Sequence, residues 1–130
     1  MAFVTRIERP RVLLVEDELL VGMDLCDTVE ELGFEVDGPY PGWAQALSAI
    51  DERMPDFAIL DVMIEGGNVY PIADTLSEAG VPIIFHSAHC PPLTIQQRYP
   101  QAQACSKPCP PGKLIAMMTQ ALVQGDLNAD

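Results

Sequence analysis

The sequence predicts an α/β fold, a doubly wound five-stranded parallel sheet covered by helices in three layers, and three observations predict it. Short apolar runs without polar alternation recur at residues 12–15, 57–60 and 81–85, the pattern of strands buried on both faces of a parallel sheet. Between them lie stretches whose apolar residues are spaced by three and four, as on one side of a helix. Strand and helix alternate five times, and a right-handed helical crossover is the usual way to join parallel strands.

The first strand, Val-Leu-Leu-Val at 12–15, stops at three acids, Glu16, Asp17 and Glu18. Residues 19–32 place Leu19, Met23, Cys26, Val29 and Leu32 on one helical side and Asp24, Asp27 and Glu31 on the other, with Gly33 as the stop. Residues 34–37 alternate as a second strand. A turn at 38–42, Gly-Pro-Tyr-Pro-Gly, leads to a helix whose buried side is Trp43, Leu47, Ile50 and Met54. The third strand, 57–60, ends at Asp61, and the loop 65–68 opens a helix with Val69, Ile72, Ala73 and Leu76 inward, stopped by Gly80. The fourth strand, 81–85, tolerates Pro82 only near its start. Pro91, Pro92 and Pro100 confine a helix at 93–99 to about two turns. A weak fifth strand follows at 103–106, then a last helix at 111–124 presenting Leu114, Ile115, Met118, Ala121 and Leu122 on one side. Residues 1–10 read as an extension, 11–124 as the domain and 125–130 as a frayed tail.

A chain of 130 residues fits one domain with no second output module. At 48% hydrophobic and 20% charged residues it can bury an ordinary core, which excludes wholesale disorder. Seven Lys and Arg stand against nineteen Asp and Glu, a net charge of −12 that repels phosphate backbones and anionic lipid. Neither direct nucleic-acid binding nor membrane association is expected. No apolar run approaches the roughly 18 residues that cross a bilayer, and the first ten residues lack a signal peptide's apolar core and cleavage site. The chain reads as cytoplasmic, with Cys26, Cys90, Cys105 and Cys109 as reduced thiols.

In a doubly wound sheet, ligands gather outside the carboxyl ends of the strands. Glu16 and Asp17 follow the first strand, Asp61 the third, Ser87 the fourth and Lys107 the fifth. Carboxylates crowded on a partly buried rim repel, and one must protonate unless a cation joins them. Short-chain oxygen ligands suit Mg2+, with Mn2+ as an alternative. With a metal present, one carboxylate can attack phosphorus while metal, hydroxyl and ammonium each receive an oxygen of the transferred group.

Val12-Leu-Leu-Val-Glu-Asp-Glu18, Ala58-Ile-Leu-Asp-Val62, Ile83-Ile-Phe-His-Ser87 and Ser106-Lys-Pro108, in that order and over nearly the whole chain, resemble the response-regulator receiver domains of two-component signalling, the CheY-like family. The resemblance implies strand order 2-1-3-4-5, the flavodoxin-like arrangement. It implies Asp61 as phospho-acceptor, Asp17 as a direct metal ligand, Glu16 as the acid holding a metal-bound water, and the Met63 backbone carbonyl as a further ligand. Ser87 takes the place of the switch hydroxyl that bonds the phosphoryl group, and Lys107 that of the lysine pairing with it, with a cis Lys107-Pro108 bond. It further implies a phosphohistidine donor on a sensor histidine kinase or histidine phosphotransfer protein, contacted through the first helix. Such a receiver catalyses only its own phosphorylation and dephosphorylation, acts on a downstream protein target or relays the group, and is a monomer or weak dimer.

One departure is Ala104, where receivers usually carry the aromatic switch residue three places before the lysine. The chain resembles a subset of stand-alone receivers that lack it, and the segment 86–100 is then expected to reorganise on phosphorylation. Glu18 reads as a first-turn helix acid. His86, His89, Cys90, Cys105 and Cys109 use a zinc vocabulary without zinc spacing, so the cysteines read as small hydrophobes and the histidines as partly exposed loop residues. An Asp-nucleophile phosphatase would need a second acid where Met63 stands. A nucleotide or flavin binder would need a glycine-rich cradle where Glu16-Asp17-Glu18 stands. An interaction module with a vestigial site is the remaining alternative, and it would not need Asp61.

Overall fold

The computed structural model describes residues 9–88 and 92–128. The elements run β1 (Arg11–Val15), α1 (Leu19–Glu31), β2 (Glu35–Tyr40), α2 (Trp43–Glu52), β3 (Phe57–Asp61), α3 (Tyr70–Glu78), β4 (Ile83–Ser87), α4 (Pro92–Arg98), β5 (Gln103–Ser106) and α5 (Pro111–Asn128). The five strands form one sheet in the order β2-β1-β3-β4-β5, parallel throughout. The expected doubly wound architecture is what the chain adopts.

Period-two alternation sorts the strand residues into two cores. Leu13, Val15, Ala58, Leu60 and Phe85 pack under α2, α3 and α4, whereas Val12, Leu14, Phe57, Ile59 and Ile84 pack under α1 and α5. Because β1, β3 and β4 are covered on both sides, their residues alternate between cores instead of between core and water. Their carboxyl ends come out side by side, and that edge carries the chemistry.

The helix faces depart from the sequence reading. On α1, Leu19 is 67% exposed, Met23 51% and Leu32 36%, and the buried stripe is Gly22, Leu25 and Val29. A Cβ at Gly22 would stand 2.8 Å from Pro39 Cβ, so the helix is drawn in on the one face where a missing side chain permits close approach. An apolar count scores glycine as nothing and mis-phases the helix. On α2 the buried residues are Ala46, Ala49 and Ile50, with Leu47 and Met54 exposed, again because small residues set the contact. Expected inward residues of α3, Ile72, Ala73 and Leu76, are buried.

β2 runs on to Tyr40 through what the sequence suggests is a turn. Gly38 has φ +130°, and a Cβ there would lie 2.4 Å from the Leu14 carbonyl oxygen; the β1–β2 register shifts at this point. The last helix continues to Asn128, four residues past the end the sequence suggests. Residues 1–8, His89, Cys90 and the Leu122 side chain lie outside what is described. Both Gly38-Pro39 and Lys107-Pro108 are cis. Cys105 and Cys109 are joined as a disulfide with Cα atoms 5.9 Å apart, against the expectation of reduced thiols; the turn through Lys107 and Pro108 returns the chain to bridging distance. Cys26 is free. No helix among the described residues is long and apolar enough to cross a membrane.

Candidate functional site at the carboxyl edge of the sheet

β1 delivers Glu16, which is 2% exposed, and β3 delivers Asp61, 6% exposed. Asp17 and Glu18, exposed in the turn into α1, complete a group with Glu16 in which one carboxylate oxygen from each lies within 4.8 Å of the others. β4 ends on buried Ser87, and Lys107 follows β5. The Lys107 backbone N–H donates to the Ser87 carbonyl at 2.8 Å, which extends the sheet pairing just far enough to aim the lysine back across it.

The Lys107 side chain unites the rim. Its ammonium donates to Asp61 Oδ2 at 3.0 Å, Glu16 Oε2 at 3.1 Å and Glu18 Oε1 at 3.2 Å, and it also lies 3.0 Å from Glu16 Oε1. Burial disfavours the ammonium, yet its bonds to Glu16 and Asp61 hold its pKa above the ordinary lysine range. Burial also acts on the acids. Asp61 is pushed up to about 6, first by desolvation and then by the neighbouring Glu16, against the pull of Lys107. For Glu16 burial acts upward too, but His86, the Glu18 backbone N–H and Lys107 together take it down to about 2. Glu16, with three partners, is thus held ionised, and the shared ammonium leaves Asp61 short of positive charge.

His86 is the residue the sequence reading misplaced. It is 4% exposed, pairs with Asp61 across the β3–β4 ladder, and holds Nδ1 3.5 Å from Glu16 Oε1. It is a strand residue beneath the rim, not a partly exposed loop residue. The signal was available: residues in register on adjacent parallel strands share a face, so a histidine one place before Ser87 belongs beside Asp61. Glu18, expected from the sequence as a helix-end acid, is the N-cap residue of α1 and also an ion-pair partner of Lys107. The disulfide removes Cys105 and Cys109 from any zinc set.

Met63 opens a two-residue antiparallel pairing with Asn68, in a loop held from outside. Trp43 Nε1–H donates to the Asn68 carbonyl at 2.8 Å, and the backbone of Trp43 donates to the Glu65 carbonyl at 3.2 Å. On the opposite core face, Ala104 sits in register with Phe85. Tyr99, after α4, stacks on Phe85 with centroids 5.1 Å apart, and its hydroxyl donates to Asp74 at 2.7 Å.

The donor set fits a hard divalent cation. Three carboxylates, those of Glu16, Glu18 and Asp61, share one ammonium, Asp61 keeps an elevated proton affinity, and the donors offered, with Asp17 beside Glu16 and Glu18, are oxygens.

No family model matches the chain. It is 31% identical over 114 residues to the phyllosphere-induced regulator PhyR of Methylorubrum extorquens, covering 85% of this chain and 43% of that protein. It is 32% identical over 79 residues to the transcriptional regulatory protein PdtaR of Mycobacterium tuberculosis, covering 60% of this chain and 38% of that one. The chain thus spans less than half the length of these curated relatives. Among solved structures, the receiver domain of Erythrobacter litoralis PhyR superposes with a TM-score of 0.78 at 28% identity, over 90% of this chain and 92% of that one. The receiver domain of a modulated diguanylate cyclase from Desulfovibrio desulfuricans gives 0.77 at 26%, over 93% and 99%.

Proposed function

We infer that this chain, a response-regulator receiver domain of two-component signalling, accepts a phosphoryl group on Asp61 and works as a cation-dependent switch or relay. The observation that carries the reading is Asp61 itself: buried at the end of β3, held 3.0 Å from Lys107, and short of positive charge.

Asp17, Asp61 and the Met63 carbonyl would hold Mg2+, or Mn2+, with Glu16 orienting a coordinated water. The cation would neutralise the acidic rim and draw charge from one phosphoryl oxygen. Asp61 supplies the nucleophilic oxygen, which attacks phosphorus as the bond to the donor's imidazole nitrogen breaks; the imidazole leaves and takes up a proton. Lys107, already on Asp61, and Ser87, at the next strand end, receive the other two oxygens. Water then hydrolyses the acyl phosphate, releasing inorganic phosphate and restoring the Asp61 carboxylate. The donor is a phosphohistidine on a sensor histidine kinase or a histidine phosphotransfer protein, and the chemistry resets the receiver without turning over a separate substrate.

Ala104 cannot act as an aromatic switch. We assign the readout to α4, whose adjoining Tyr99 lies against Phe85 two residues before Ser87; a shift of the Ser87 hydroxyl toward the phosphoryl group would reach Tyr99 through that ring.

Incubation with acetyl phosphate, with and without Mg2+, tests the reading by intact mass. A gain of one phosphoryl group that needs Mg2+ and is absent in Asp61→Asn supports it. A partner-binding protein that never gains mass returns the vestigial-module alternative.

A further inference from the structure

We propose that Cys105 and Cys109 form a reversible thiol–disulfide site that holds Lys107 in the rim and makes phosphoryl uptake depend on redox state. The clause about uptake rests on the function proposed above; the cysteine chemistry does not.

The two cysteines bracket the lysine in the run Cys105-Ser106-Lys107-Pro108-Cys109. Their Cα atoms are 5.9 Å apart, within the span a disulfide bridges without moving the backbone. Cys105 is anchored: it is 2% exposed, lies in β5 and registers with His86. Cys109 is half-buried in the wall of a surface groove shared with Asp24, Leu25, Pro110 and Leu114, where a small molecule can reach it. The bond therefore closes a short ring, with one end fixed in the sheet and Lys107 inside it.

Lys107 is tied to β4 by its N–H to Ser87, and the chain is next held where Lys113 and Leu114 donate to the Pro110 carbonyl. Between these points Cys109 packs against the core and the disulfide adds a covalent restraint on where the lysine backbone can go, and Lys107 is the cation bonded to Asp61, Glu16 and Glu18 at once. Reduction loosens the lysine's carrier while leaving the sheet intact. A catalytic group positioned within a fraction of an ångström loses rate when its carrier loosens.

The groove, with Asp24 and Asp27 in its lining and a chain charge of −12, favours a cationic or neutral low-molecular-weight disulfide as co-reactant. With cystamine, the Cys109 thiolate attacks one sulfur and releases one cysteamine. The Cys105 thiolate then attacks the mixed disulfide at the Cys109 sulfur and releases a second. Two protein thiols become one disulfide, one cystamine becomes two cysteamines, and protons pass from the protein thiols to the departing thiolates.

The experiment uses the 130-residue chain with C26S/C90S, leaving this pair as its cysteines. It is poised in cystamine/cysteamine mixtures, and the redox state is counted by intact mass. Phosphoryl uptake from acetyl phosphate with Mg2+ and acylation of Lys107 by an N-hydroxysuccinimide ester are then timed in each state. The disulfide form is expected to take up phosphoryl about three- to tenfold faster, and its Lys107 to acylate more slowly. The further changes C109S, and separately C105S/C109S, should leave both rates at the dithiol value whatever the buffer. Equal rates in the two states, a faster dithiol form, or a pair that stays reduced in excess cystamine would overturn the proposal. Absence of uptake in both states refutes the receiver chemistry instead, and the acylation rates then decide whether the disulfide holds Lys107.

Discussion

Lys107 Nζ lies 3.0 Å from Asp61 Oδ2 across 46 residues of sequence, and the same ammonium lies 3.0 Å from Glu16 Oε1. One half-buried cation thus serves two buried carboxylates from neighbouring strands, so removing it leaves Asp61 uncompensated and takes a partner from Glu16.

Lys107→Met is therefore expected to destabilise the cation-free protein by about 3 kcal/mol, read as a lower urea midpoint with an unchanged slope. Mg2+ should recover more stability in this variant than in the parent, because the ion replaces the lost charge. Equal midpoints without Mg2+ would show that the three-way contact adds nothing.

The two acids set opposite pH limbs. Glu16, lowered from 4.5 to about 2, contributes stability that is complete above 4.5 and lost as pH falls toward 2. Asp61, raised from 3.8 to about 6, costs stability as pH rises from 3.8 through 6, where the folded state gives up its proton later than the unfolded one. In EDTA, this cluster makes the melting temperature highest near pH 4 to 4.5. Asp61→Asn should flatten the fall on the alkaline side, whereas His86→Val, which takes a partner from Glu16, should move the acid limb to higher pH. Melting curves across pH 2–8 check all three.

On the function proposed above, cation binding displaces the proton held by Asp61, so apparent Mg2+ affinity should rise about tenfold per pH unit below 6 and level off above it. Trp43, whose indole bonds to the loop after Asp61, is the sole tryptophan and a local fluorescent reporter of that binding.

Gly42→Ala tests the support of that loop. A Cβ at Gly42 would stand 2.6 Å from Glu65 Cβ and 2.7 Å from the Glu65 carbonyl oxygen, so the segment carrying Met63 must shift. Stability should fall by about 1–3 kcal/mol, with weaker Mg2+ binding by the same fluorescence titration. Gly80→Ala, whose Cβ would meet nothing within 4 Å, should leave Mg2+ binding unchanged.

What was legible in the sequence follows from which forces are local. A continuous apolar strand ending in an acid fixes both element and edge, so Glu16, Asp61, Ser87 and Lys107 could be placed on one rim before their distances were known. Helix phase was less legible, because Gly22, Ala46 and Ala49 make contacts by being small while Leu19 and Leu47 remain outside. His86 was missed because its role depends on strand register with Asp61, a relation between segments 25 residues apart. The Cys105–Cys109 bond was missed because class-level expectations for thiols take no account of a tight turn.

The most direct test of the account is chemical identification of the phosphorylated residue. After acetyl phosphate and Mg2+, borohydride reduction converts an aspartyl phosphate into homoserine, and peptide mass spectrometry locates it. The account predicts homoserine at position 61 alone, and none without Mg2+. Homoserine at another acid, or phosphate surviving reduction on Ser87 or a histidine, would contradict it.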